Sequence, residues 1–122
     1  MKLFIDDQAF ELLNDGSFVR DPEKIYPGED RKTWILFEYA EGLVDFIKLY
    51  ASQINIISFD NDLGEGRMEG YQLLNLLEEE AFAGNLNLAH VDMKVHSWDV
   101  NTRPKMLSTI NNIKRFSERN LT

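Results

Sequence analysis

Residues 54–64 read Ile54-Asn55-Ile56-Ile57-Ser58-Phe59-Asp60-Asn61-Asp62-Leu63-Gly64, a nearly continuous apolar run that ends in acids and a turn. A short apolar run without polar alternation is what a strand covered on both faces needs, and such strands belong to parallel sheets. Ile54–Asp60 is therefore read as the central strand. On its N-terminal side, Glu41–Ala51 places Leu43, Val44, Ile47 and Ala51 on one helical face and Glu41, Asp45 and Lys48 on the other. On its C-terminal side, Gly70 to about Ala83 turns Leu73, Leu74, Leu77 and Ala81 inward, which predicts a second helix.

Further out, Lys2–Asp6 and Trp34–Tyr39 (WILFEY) read as strands. Val91–Val95 alternates Val91, Met93 and Val95 with Asp92 and Lys94, the pattern of a half-exposed strand at a sheet edge. Thr102–Arg119 reads as a helix with Met106, Ile110 and Ile113 inward and Pro104 in its first turn, where proline is tolerated. Strands alternating with helices imply right-handed crossovers and an α/β fold, a parallel sheet with helices on both faces. Residues 8–33 break the pattern. Asn14-Asp15-Gly16 marks a hairpin turn, and Pro22, Pro27, Gly28 and many charges make residues 19–33 a loop.

The 122 residues amount to one domain, and 43% hydrophobic with 28% charged residues is ordinary globular usage, which excludes a disordered or fibrous chain. No apolar run reaches the roughly 18 residues of a membrane span, and Met1–Asp7 meets two acids before a signal-peptide core can form, so the expectation is a soluble, cytoplasmic protein. Without cysteine there is no disulfide, thiolate zinc site or thiol nucleophile, so any metal is held by oxygen. The net charge of -8 disfavours duplex DNA and anionic membranes. Residues 101–122 nonetheless carry five basic side chains against Glu118, a net of +4 that leaves -12 on the first hundred.

Ligands of open α/β sheets bind beyond the carboxyl ends of the strands. This chain places Asp6-Asp7, Asp60-Asn61-Asp62 and His96-Ser97 there. Any single one of these acids is more often a turn former than a ligand. Placed together at neighbouring strand ends, Asp6, Asp7, Asp60 and Asp62 suit Mg²⁺, which takes carboxylate, water and phosphate oxygens. His96 then stands as a general acid or base, while His90, in a loop, reads as surface. The start of the last helix, with Asn101 or Thr102 as cap and Arg103 and Lys105 beside it, offers donors for a phosphate, as does the Ser97 hydroxyl. Gly64-Glu65-Gly66-Arg67 is read as a plain turn, and Trp98 as either a base-stacking or a packing residue.

Asp6-Asp7 after a short strand, Ser58 to Gly64 with Gly70-Tyr71 at the next helix start, and Val95-His96-Ser97 before the last helix together resemble the cyclic-phosphate processing receiver-like domain family, itself similar to response-regulator receivers. The resemblance spans most of the chain except residues 8–33. It implies a truncated, flavodoxin-like three-layer fold of about four strands in the order 2-1-3-4, lacking the fifth strand and helix. It also implies processing of cyclic or terminal phosphates on nucleotides or RNA ends, carried by Asp6, Asp7, Asp60, Asp62, His96 and Ser97. The family has a histidine where this chain has Asn61, and Ala-Asn-Pro where it has Trp98-Asp99-Val100-Asn101.

The first expectation is a Mg²⁺-assisted phosphoesterase acting on a phosphorylated small molecule, cyclic nucleotide or RNA terminus, with Asp60, His96 and Ser97 in the chemistry. Second is a phosphoacceptor or phosphate-sensing module, with either Asp60 or Asp62 as the acceptor. Third is a non-catalytic interaction domain, with residues 8–33 available to a protein partner.

Overall fold

The computed structural model describes residues 1–120. Four parallel strands, β1 (Lys2–Ile5), β2 (Trp34–Phe37), β3 (Ile56–Phe59) and β4 (Asp92–Val95), lie in the order β2-β1-β3-β4. The apolar run of residues 54–60 is thus the heart of β3, with β1 on one side and β4 on the other. Its strand is shorter than the run, because Ile54 and Asn55 still leave the 3₁₀ turn Ala51–Gln53 and Asn55 is held by the N-terminus. Val91–Val95 lies at the edge, as its alternation predicts, with Asp92 exposed and Met93 and Val95 buried.

Helices α2 (Leu43–Tyr50), α3 (Gly70–Phe82) and α4 (Arg103–Arg119) follow the 3.6-residue apolar period. Their ends are set by local chemistry. Gly42 at φ +82 opens α2 two residues later than the pattern suggests, and the Glu69 and Gln72 side chains form a capping box at α3. The inward residues of all three helices join Leu3, Ile5, Ile57, Phe59, Met93 and Val95 in one core. These strand residues share a register row parity and hence one face of the sheet.

The opposite face is covered too, but mainly by the segment between β1 and β2. Phe4, Ala9 and Trp34 form a second cluster there with Ile25, Tyr26, Leu36 and Ile56. Within residues 19–33, predicted as loop, lie a one-turn helix α1 (Pro22–Ile25), capped by Asp21, and a 3₁₀ turn at Arg31–Thr33, capped by Asp30. Both are too short to show a hydrophobic period, so caps and prolines are their only sequence signal. The hairpin at Asn14-Asp15-Gly16 forms: Leu12 bridges Phe18, Leu13 N-H donates to the Ser17 carbonyl at 2.7 Å, and Gly16 adopts φ +85.

On the outer edge of β4, the Arg103 guanidinium donates to the Val95 carbonyl at 2.6 Å and the Ser97 carbonyl at 3.0 Å. These oxygens point away from β3, where a further strand would pair.

Candidate functional site

The strand register builds the site. Ile5, Phe59 and Val95 are aligned, and the ladder runs one residue further: Asp60 N-H donates to the Ile5 carbonyl and His96 N-H to the Phe59 carbonyl, each at 2.9 Å. Asp6, Asp60 and His96 therefore stand in one row across β1, β3 and β4. One ligand atom from each, a carboxylate oxygen or a ring nitrogen, falls within 4.8 Å of the other two, a group able to hold a metal ion.

Asp6 is fully buried and accepts on both oxygens, from Gln8 N-H at 2.9 Å and from His96 Nε2 at 3.0 Å. Because Nε2 donates to a carboxylate, the other ring nitrogen is an acceptor. The Ser58 hydroxyl donates to Nδ1 over 2.7 Å and accepts from the Tyr26 hydroxyl over 2.6 Å. A hydrogen-bonded line thus runs from Tyr26 in the covering segment through Ser58 and His96 to Asp6. The imidazole is only 2% exposed and lies parallel to the Phe4 ring at 4.4 Å. Burial lowers the His96 pKa, with Asp6 pulling the other way, so the ring is neutral at neutral pH. With both nitrogens engaged, it orients Asp6 rather than facing solvent.

Asp60 sits differently. Burial first, then the Asp6 charge, pushes its carboxyl up to about 7, although its own neighbour Asn61 donates to it at 2.8 Å. Asp7 is raised as well, by burial and by Asp6 and Asp62. The crowding of carboxylates that raises Asp60 and Asp7 is relieved by a proton or a cation. The oxygen donors suit a hard ion such as Mg²⁺.

The remaining expected residues lie around this centre or away from it. Asp62 is exposed and accepts from Gly64 N-H at 3.1 Å, the turn-forming role open to any aspartate at a strand end. Asn61, in place of the family's histidine, fastens the start of α3: its carbonyl accepts from Gly70 N-H at 2.8 Å and its side chain from Tyr71 N-H at 3.1 Å. Ser97, 9% exposed, accepts from Asp99 N-H at 3.5 Å.

The phosphate position expected at the start of α4 is filled from within. Asp99 accepts from Asn101 N-H at 2.8 Å and Thr102 N-H at 3.0 Å, which holds its carboxyl below the usual range. Thr102 caps the helix without a side-chain bond, Arg103 is committed to the two carbonyls and stacks near Trp98 at 4.8 Å, and Lys105 is exposed. His90 is a surface residue, bonded through Nε2 to the Ala51 carbonyl at 3.0 Å. The Gly64–Arg67 segment is a turn, with Gly64 at φ +105 and Gly66 at φ +74.

Three participants escape a reading of the sequence: Ser58, Tyr26 and Arg20, whose Nε lies 3.9 Å from Asp6 Oδ2. Ser58 looks like a lone polar residue in a strand, and only its register beside Lys94, two residues before His96 on the same face, gives it away. Tyr26 and Arg20 lie in the irregular segment, where no period places a side chain.

No curated protein and no solved structure matches the chain. A family model, that of the cyclic-phosphate processing receiver domain, matches residues 1–112, which include every strand and the Asp6, Asp60 and His96 row. On that match the chain belongs to the cyclic-phosphate processing receiver domain family.

Proposed function

We propose that this chain is a phosphoesterase that opens cyclic phosphates or removes terminal phosphates on nucleotides or RNA ends, with Mg²⁺ held by Asp6 and Asp60 and with Asp7 and Asp62 close by. The observation that carries the reading is the Asp6–Asp60 pair, two carboxylates drawn together by strand register, one with its pKa raised to about 7. Bound there, the cation would polarise a phosphoryl oxygen and neutralise charge that builds in the transition state. Its arrival would displace the proton from Asp60. Asp6 keeps its orientation through His96, whose ring is fixed in turn by Ser58. His96 holds its proton at Nε2 against Asp6, so its part in proton transfer to a leaving oxygen requires that contact to be exchanged for the substrate. Beside the site, Asp7, Glu11 and Glu38 border a groove of about 440 Å³, an acidic mouth that disfavours an anionic substrate until the cation is in place.

The test is a panel of 2′,3′-cyclic and 3′,5′-cyclic nucleotides incubated with the chain and Mg²⁺, with products resolved by chromatography. Phosphomonoester products that vanish with chelator and in Asp60→Asn are expected. A second reading, the phosphoacceptor, is favoured by the position of Asp60 one residue beyond the central strand, beside Asp6-Asp7. Absence of turnover together with a stable gain of about 80 Da from a small phosphodonor, the mass of a phosphoryl group held on a carboxylate, would establish that reading instead.

A further inference from the structure

The covering segment holds two arginines with different surroundings. Arg31 donates to the Ala9 carbonyl at 2.6 Å and lies over the Phe18 ring at 3.5 Å, so it ties the segment together. Although Arg31 Nη1 is also buried without a hydrogen-bond partner, Arg20 differs in that its side chain makes no hydrogen bond or ring contact among the described residues and its ion-pair contact is with Asp6. Its Nε is 3.9 Å from Asp6 Oδ2, too far for a hydrogen bond, and is buried without any hydrogen-bond partner among the described residues. Its side chain as a whole is 41% exposed, so it reaches from the buried Asp6 carboxylate towards solvent.

The backbone puts it there on purpose of geometry. From the Asn14-Asp15-Gly16 turn the chain runs back along residues 8–12, with Val19 N-H donating to the Glu11 carbonyl at 2.7 Å and Arg20 N-H to the Gln8 carbonyl at 3.3 Å. That return places Arg20 beside Gln8, two residues beyond Asp6 at the end of β1. Its charge acts on the Asp60 carboxyl and on His96 as well as on Asp6.

We propose that Arg20 is the substrate-binding cation of the site, a phosphate-recognising arginine supplied by the hairpin, whose free donors take phosphoryl oxygens of a ligand bound at Asp6 and Asp60. This rests on the phosphoesterase reading above. A planar guanidinium with unused donors matches phosphoryl oxygens, and water alone is a poor partner for its buried Nε. The charges also suit the proposed substrate. Arg20 is the positive charge at a centre that otherwise carries Asp6, Asp7 and Asp60, where an anionic ligand needs one. The role that the start of α4 and Arg103 do not fill thus falls to the opposite side of the site.

The experiment measures binding rather than turnover. Inorganic phosphate is titrated into the full chain at saturating Mg²⁺, by calorimetry or ³¹P line broadening, for wild type, Arg20→Gln and Arg20→Lys, with Mg²⁺ affinity measured separately. Arg20→Gln should weaken phosphate binding by about tenfold or more while Mg²⁺ binds as well as before or better, since a repelling charge has gone. Arg20→Lys should recover part of the loss, and it carries the test if the Gln variant does not fold. Unchanged phosphate affinity in Arg20→Gln, or in Arg20→Lys should the Gln variant not fold, would overturn the proposal and leave Arg20 as a counter-charge to Asp6. A wild-type chain that binds Mg²⁺ but no phosphate would overturn the phosphoesterase reading along with it.

Discussion

Asp60 is where charge and burial are least reconciled. In chelator the folded chain keeps a proton on this carboxyl up to about 7, whereas an unfolded aspartate releases it near pH ~4. Between those limits the folded state binds more protons than the unfolded one, so the contribution of Asp60 to stability is lost as pH rises through the window. His96, lowered by burial, works in the opposite sense: its contribution is lost as pH falls below its ordinary value. A comparison with Asp60→Asn isolates the first effect. The melting temperature of the variant relative to wild type should climb between pH ~4 and ~7 and level off above; a difference independent of pH would show that the carboxyl titrates normally. At this scale the sequence was legible wherever strand register decides position. Asp6, Asp60 and His96 follow apolar runs that end in step, so pairing the runs aligns the residues. Arg20 was not legible, since its place depends on how a hairpin of few residues folds back, which no periodicity in residues 8–33 encodes.

Among the elements, α3 is bound most closely to the site. It begins at Gly70, where a Cβ would lie 1.9 Å from the Asp60 carbonyl oxygen. That neighbour is backbone and cannot swing aside. Gly70→Ala should therefore push the helix start away from β3, at a cost of about 1–3 kcal/mol in denaturant unfolding, and reduce Mg²⁺ affinity because Asp60 moves with its own carbonyl. Wild-type stability in the variant would mean that the contact relaxes without consequence. The Gly-Tyr pair is recognisable in the sequence as a helix start, but the need for glycine arises from an approach between segments, which only the folded chain contains. The long helices were readable because their apolar period survives over two or more turns. The one-turn α1 has no period to read, and so the layer it forms over Phe4 and Trp34 emerged only from the structure.

For the whole molecule, a cation at Asp6 and Asp60 would bind the folded state alone and so stabilise it by mass action. Millimolar Mg²⁺ should raise the melting temperature relative to chelator, by an amount that grows with concentration and corresponds to about 2.7 kcal/mol at a hundred times the dissociation constant. Asp60→Asn should blunt the rise; identical melting of wild type with Mg²⁺ and with chelator would exclude the site. The contact between Asp6 and His96 spans 90 positions of the chain, and every pairing in the sheet is parallel, so none is closed by a short hairpin. Such pairings form slowly, because distant segments must meet before any contact rewards them. In the time order of synthesis, the segments bearing Asp6 and Asp60 emerge well before the one bearing His96. A nascent chain can thus bring its two acids together before the imidazole that aligns them exists, and the assembled centre is a late event in the history of each molecule.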